Sequence, residues 1–218
     1  PDRIMKPLAV PADPGYAKQW HYFEATGGLN LPKAWDLSTG TGVRVAVIDT
    51  GFRPHADLKA NLLPGYDFIG DTFVSNDGDG RDADASDTGD AILKGECGGG
   101  QPLQDNASSW HGTHVAGTIA AVAGNGIGGV GVAYGAKVVP VRVLGKCGGY
   151  TSDIADGVTW AAGGTVAGVP ANANPARVLN LSLGGEGACD TTTQNAINTA
   201  RSRGAVVVVA AGNDNLDA

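Results

Sequence analysis

A doubly wound parallel α/β sheet with helices on both faces is the fold class this 218-residue sequence predicts. Four apolar runs rich in β-branched residues, at 42–49, 136–144, 176–183 and 204–212, read as strands buried on both faces. Helix-like segments at 111–123, 151–163 and 190–203 separate them. The last two open on Thr151-Ser152-Asp153 and Asp190-Thr191-Thr192, whose side-chain oxygens suit the cap of a first helical turn. Strand, helix, strand in alternation implies right-handed crossovers within one sheet, and no internal repeat or second domain interrupts the pattern.

Composition narrows the class. With 42% hydrophobic and 17% charged residues the chain is ordinary for a soluble globular domain. No apolar stretch approaches the roughly 18 residues of a membrane span. The 35 glycines fall in short clusters between the apolar runs, as tight turns and close backbone approaches require. The net charge of −7 resides in one segment: Asp67 to Asp90 holds eight aspartates against the single base Arg81, while acids and bases balance elsewhere. No Lys/Arg cluster exists to track phosphates, so neither nucleic acid nor an anionic membrane is expected as a partner. Pro1 opens the chain without a methionine, as in a processed product. Three cysteines, Cys97, Cys147 and Cys189, match no short zinc-ligand spacing.

In a doubly wound sheet the chemistry gathers beyond the carboxyl ends of the strands. There the first run delivers Asp49-Thr50-Gly51, the third Asn180-Leu181-Ser182-Leu183-Gly184-Gly185, and the fourth Ala211-Gly212-Asn213. The segment SWHGTHVAGT (109–118) adds His111 and His114, three positions apart at a helix start. A helical zinc pair prefers two histidines four apart with a glutamate between them, so this spacing argues against metal. An Asp that accepts from one imidazole nitrogen fixes the tautomer and frees the other nitrogen to take a proton from a nucleophile. A strand-end Asp or Asn taken alone reads more simply as a turn residue. Gly124-Asn125-Gly126-Ile127-Gly128-Gly129 fits G-x-G-x-x-G but follows a helix and leads to a strand, the wrong order for a dinucleotide site.

VAVIDTG, HGTHVAGT, NLSLGG and AAGN, in that order, resemble the subtilisin-like serine proteases. The resemblance implies that Asp49 orients the imidazole, His111 is the general base and Asn213 donates its side-chain amide to the tetrahedral oxyanion. His114 falls on a packing position, and His21 and His55 lie outside the blocks as surface or turn residues. The implied substrate is a peptide or protein in extended form, pairing as an added strand with Leu144, Cys147, Gly148 and Gly149 on one edge and with Ser182, Leu183 and Gly184 on the other. Ser182 to Gly185 and Ala210, Ala211 and Gly212 would border a pocket for a large apolar side chain. The implied location is extracellular.

Ca²⁺ is the cofactor the resemblance implies. One ion is expected in the loop 123–129, held by Asp57, the Asn125 side chain and the carbonyls of Ala123, Ile127 and Gly129, an oxygen set suited to calcium. The acidic stretch 77–90 is similar to calcium loops of some secreted relatives. Asp67, Asp77, Asp79, Asp82 and Asp84 are its candidate ligands, against the alternative of a solvated acidic loop. It is not an EF-hand, since Asp82 stands where that loop needs glycine.

The family carries its nucleophilic serine in a G-T-S-M-A block beyond the Asn block, and the sequence reaches Ala218 without one. The expectation is therefore an incomplete catalytic domain over 1–218, completed by a C-terminal chain that brings the serine and a mate for Cys189. With it goes the expectation that Cys97 pairs with Cys147. Residues 1–13 are similar to the end of a family propeptide, as a remnant or an N-terminal extension. The alternative function is a catalytically inactive, calcium-stabilised binding module or fragment of the same fold.

Overall fold

The computed structural model describes residues 11–185 and 187–213. Most of the expected propeptide remnant, 1–10, lies outside the described residues. Five strands, β1 (Arg44–Asp49), β2 (Tyr66–Asp67), β3 (Lys137–Arg142), β4 (Val178–Leu181) and β5 (Val206–Val209), form one parallel sheet in the order β2-β3-β1-β4-β5. Arg44 through Asp49 lie opposite Lys137 through Arg142, and Val45 to Val47 lie opposite Val178 to Asn180. Later strands flank β1 on both sides, so the switch in winding direction falls at its carboxyl end.

Successive residues of β1 point to opposite faces, and both faces are covered. Ala46 and Ile48, with Val139, Val141 and Leu179, meet helices α5 (Thr151–Ala161) and α6 (Thr191–Ser202) through Val158, Trp160 and Ala200. Val47 and Val138 turn the other way, onto Ala116 and Ala120 of α4 (His111–Ala120). Ile48 is completely buried. Removing a side chain of that size from water contributes about 1.5–3 kcal/mol. The small residues of α4 let its axis lie close to β1.

Differences from the expected bounds have local causes. Helix α4 ends at Ala120, three residues early, because Ala121 turns extended and the Val122 N–H goes to the carbonyl of Asp57 at 2.7 Å. Helix α5 ends at Ala161 as Gly163 takes a left-handed conformation, φ 84°. Asp190 caps α6 as its side chain foretold, accepting from Thr193 N at 2.8 Å. Strand β2, missed in the sequence, is only Tyr66–Asp67, too short to show alternation. The short helices α1 (Trp20–Phe23), α2 (Leu31–Trp35) and α3 (Thr72–Ser75) were missed for the same reason. Tyr16, Tyr22, Leu31 and Trp35 pack on Val130, tying the N-terminal segment to the loop after α4.

The run 204–212 departs most from expectation. Its apolar pattern predicts burial on both faces, yet Val206, Val208 and Val209 are 59%, 47% and 59% exposed. Among the described residues β5 bonds only to β4 and forms the sheet edge. On the α4 side an open apolar groove of about 270 Å³ runs between Val45, Val178 and Val208 and the side chain of Ile119. No helix among the described residues is long and apolar enough to cross a membrane.

Candidate active site

Asp49 ends β1, fully buried, and His111 opens α4 with 46% of its side chain exposed. Nδ1 of His111 lies 2.8 Å from Oδ1 and 3.0 Å from Oδ2 of Asp49. An ionised carboxylate at that distance requires a proton on Nδ1, so in the neutral imidazole Nε2 is the nitrogen left as an acceptor. Thr50 N donates to Asp49 Oδ1 at 2.8 Å. Burial pushes the Asp49 carboxyl above its ordinary range, and the hydrogen bonds from His111 and Thr50 pull against it. The pair thus combines a dry, fixed acceptor with a wet, accessible base.

The approach of α4 to β1 depends on glycine. A Cβ on Gly112 would stand 2.3 Å from the carbonyl oxygen of Gly51. His114, expected to pack, is exposed instead. It lines a cavity of about 320 Å³ with His55, Asp57 and Gln19, because its face of α4 turns away from the sheet. His21 and His55 are exposed as expected.

The other strand ends bring their residues to the same edge of the sheet. Val143 and Leu144, just past β3, both donate their N–H groups to the carbonyl of Asp49, at 2.9 and 3.2 Å. Gly145 and Gly148 then bridge in a tight turn that holds Cys147 at φ 65°. Gly148 and Gly184 face open space, whereas Gly149 packs against the Val143 carbonyl, where a Cβ would come within 2.2 Å. Only the first two leave room for another backbone. Ser182 Oγ accepts from Asn180 Nδ2 at 2.9 Å, and Leu183 packs against the main core. Ala211, Gly212 and Asn213 are exposed beyond β5, two strands from Asp49. Cys97 and Cys147 form a disulfide, and Cys189 is free and exposed. Lys146 reinforces the link with an ion pair to Glu96 at 2.5 Å.

The acidic stretch does not assemble as the single cage expected of Asp67, Asp77, Asp79, Asp82 and Asp84. Arg142, at the end of β3 and only 1% exposed, pairs with both Asp67 and Asp77 and also donates to the Ser75 carbonyl and to Thr88 Oγ1. Asp82 Oδ1 accepts from Asp84 N at 2.8 Å, and Asp84 Oδ1 from Ser86 N at 2.9 Å. Exposed Asp79 offers its backbone to Ser75 and Asp77. Arg81 reaches out of the stretch to Asp153 at 2.5 Å and Asp156 at 2.7 Å. Arg142 and local turns therefore relieve the repulsion within the stretch, while Arg81 ties it to α5. No set of three or more His, Cys, Asp or Glu side chains converges as a metal site among the described residues. The buried Arg142 was hidden in a run read as apolar.

The loop after α4 has a different character. Asp57, 5% exposed, accepts from Asn125 Nδ2 at 2.7 Å and Gly129 N at 3.0 Å. Asp13, 4% exposed and missed in the sequence, accepts from the N–H groups of Gly124, Asn125 and Gly126 at 2.7–3.2 Å. No basic side chain pairs with either carboxylate, and the carbonyls of Ala123, Ile127 and Gly129 accept no hydrogen bond among the described residues. Two buried carboxylates, a carboxamide and free carbonyls are an all-oxygen donor set that fits a hard divalent cation. Asn125 presents its amino end to Asp57 here.

The buried Asp49 and the exposed His111 thus meet at the switch point of a parallel α/β sheet, the edge at which such sheets gather their chemistry. Residues 40–218 match the subtilase family, Peptidase S8, and the chain belongs to that family. It is 61% identical over 213 residues, 98% of its length, to an extracellular protease of Xanthomonas campestris pv. campestris. It is 54% identical over 220 residues to the extracellular basic protease of Dichelobacter nodosus. The chain spans 36% of the length of each of these relatives. A solved protease structure from Pseudoalteromonas arctica superposes with a TM-score of 0.92 at 68% identity, covering 95% of this chain and 60% of that one.

Proposed function

We propose that this chain supplies the Asp–His half of a secreted serine endopeptidase that hydrolyses peptide bonds. The observation that carries the reading is the 2.8 Å contact between His111 Nδ1 and buried Asp49, with nearly half of the His111 side chain exposed to solvent. His111 Nε2 takes the proton of a serine as the hydroxyl attacks the scissile carbonyl, then returns it to the leaving amine. Asp49 stabilises the imidazolium formed between the two steps. Asn213 donates its side-chain amide to the oxyanion, and the glycine-lined edges at 144–149 and 182–184 bind the extended substrate backbone.

The serine belongs to a C-terminal segment that completes the domain. The exposed valines of β5, the open groove beside α4 and the 36% coverage of the protease relatives support this part of the reading. A propeptide removed during maturation and an extracellular location follow from the same reading, and two relatives are named extracellular.

Calcium is proposed at the loop after α4, with Asp57, Asp13 and Asn125 and the carbonyls of Ala123, Ile127 and Gly129 as its holders. When bound, the ion would offset the charge of two buried carboxylates and stiffen the loop. The test of the catalytic reading is peptide hydrolysis together with fluorophosphonate labelling of the full-length protein. Loss of both in His111→Ala, with the melting temperature kept, is the expected outcome. Undiminished hydrolysis in that variant would sink the reading and favour a binding module.

A further inference from the structure

Asp87 lies in the acidic stretch but behaves unlike its neighbours. It is 1% exposed and forms no ion pair through its carboxylate among the described residues. Its Oδ2 accepts from Thr50 Oγ1 at 2.7 Å and its Oδ1 from Gly89 N at 2.8 Å. The backbone is pinned as well: Asp87 N donates to Phe52 O at 2.8 Å, Phe52 N donates to Ala85 O at 3.1 Å, and Arg53 reaches the Asp87 carbonyl at 3.3 Å. A buried carboxylate with only neutral donors carries a desolvation cost that a simple loop tie would not need.

What the carboxylate supplies is direction. An ionised Asp only accepts, so the Thr50 hydroxyl proton must point toward Asp87. That leaves the lone pairs of Thr50 Oγ1 facing the N–H of Gly112, which donates to it at 3.0 Å. Gly112 is the residue after His111 in the first turn of α4. The backbone N–H of the same Thr50 donates to Asp49 Oδ1 at 2.8 Å. One threonine therefore touches both sides of the Asp49–His111 pair. The charged groups around this link are Asp49 across Thr50, Arg53, whose guanidinium lies 5.1 Å over the Trp110 ring, and Arg142, which bonds Thr88 beside Asp87. The negative charge of Asp87 also opposes ionisation of Asp49.

We propose that Asp87 is a positioning residue for the Asp49–His111 pair, acting through Thr50, whose hydroxyl it orients to hold the first turn of α4 against the end of β1. The proposal rests on the protease reading above. Its effect is on geometry: a shift of about 1 Å in a reacting group can cost on the order of 100-fold in rate.

The test uses the full-length protease and a chromogenic peptide. Thr50→Val and Asp87→Asn should each lower kcat by about 10- to 100-fold with KM little changed, and Thr50→Ser, which keeps the hydroxyl, should restore most of the rate. The double variant Thr50→Val, Asp87→Asn should be no slower than the worse single one, because both break the same chain. In Asp87→Asn the acid limb of kcat/KM against pH, which belongs to the coupled Asp49–His111 pair, should move to lower pH, since the negative charge that opposes ionisation of Asp49 is gone. A folded Thr50→Val or Asp87→Asn with parental kcat and an unmoved acid limb overturns the proposal. If Asp87→Asn does not fold, Thr50→Val decides the matter on kcat and its rescue by Thr50→Ser. His111→Ala, run alongside, separates the two levels: an inactive His111→Ala beside a fully active Thr50→Val removes only the positioning role, whereas an active His111→Ala removes the protease reading itself.

Discussion

His111 and Asp49 are hydrogen-bonded across a boundary of solvation, one side chain fully buried and the other nearly half exposed, with Nδ1 and Oδ1 2.8 Å apart. Asp49→Asn keeps the shape but presents an amide where an acceptor is needed, so the wrong tautomer of His111 is favoured. In the full-length protein kcat should fall by about 10⁴-fold, the size met when the triad carboxylate is neutralised in Ser-His-Asp enzymes. The same change tests the pKa direction. Burial raises the Asp49 carboxyl above its unfolded value, so its contribution to stability is greatest below that value and is lost as pH rises through the folded one. The melting temperature of Asp49→Asn relative to the parent should therefore improve from pH 4 to pH 8. A difference independent of pH would contradict this.

Arg142 is the second pair to break. Arg142→Met fills similar space but leaves Asp67 buried beside Asp77 without the guanidinium they share, a loss of about 3–5 kcal/mol for a buried pair broken on one side. Burial pushes Asp67 up to about 7, with the Ile69 N–H and Arg142 opposing it. A carboxyl raised in the folded state costs stability as pH rises through its folded value, and removing Arg142 takes away one opposing influence. The loss should thus be larger at pH 8 than at pH 5, and adding Asp67→Asn should recover part of it. Urea melts at the two pH values check both.

The disulfide between Cys97 and Cys147 closes a span with a sequence separation of 50 and anchors an outer loop to the turn at 145–148. Replacing both cysteines by serine should cost about 2–4 kcal/mol, with the Lys146–Glu96 pair left to hold the loop alone. Amide exchange should quicken at 93–106 and at 145–149 while β1 and β3 stay protected. Unchanged exchange at those two segments would show that the link is dispensable.

Calcium should act on heat resistance. Titrating the metal-free, full-length protein should raise its melting temperature in proportion to the logarithm of free calcium once the site is saturated. Asp57→Ala should remove most of that rise, and Asp13→Ala should do the same because its carboxylate grips the opposite side of the loop. Equal melting temperatures in calcium and in chelator would exclude the site.

Much of the site was legible because its residues recur in short blocks at strand and helix ends. VAVIDTG carries both a buried strand and the carboxylate that ends it, and HGTHVAGT carries His111 together with the glycine that lets α4 approach. The acidic stretch was read less well. Its eight aspartates lie within 24 residues of one another, but Arg142, which pairs with Asp67 and Asp77, and Asp153, which draws Arg81 out of the stretch, lie far along the chain and come together with it only through β3 and α5. Asp13 was invisible for the same reason, being 44 residues before Asp57 and brought to the same loop by the aromatic packing of Tyr16 and Trp35 on the Val130 side.

The sequence by itself determined the sheet class, the helix cap at Asp190, though not one at the start of α5, where Tyr150 precedes the helix without a side-chain cap, and the strand-end placement of Asp49, since these depend on periodicity and on bonds within a few residues. Only the tertiary structure decided which charges neutralise which, that His114 faces outward, and that β5 lies at the edge with its valines exposed. Those outcomes depend on contacts between distant segments, where Coulomb attraction and burial act through space and leave no local pattern in the chain.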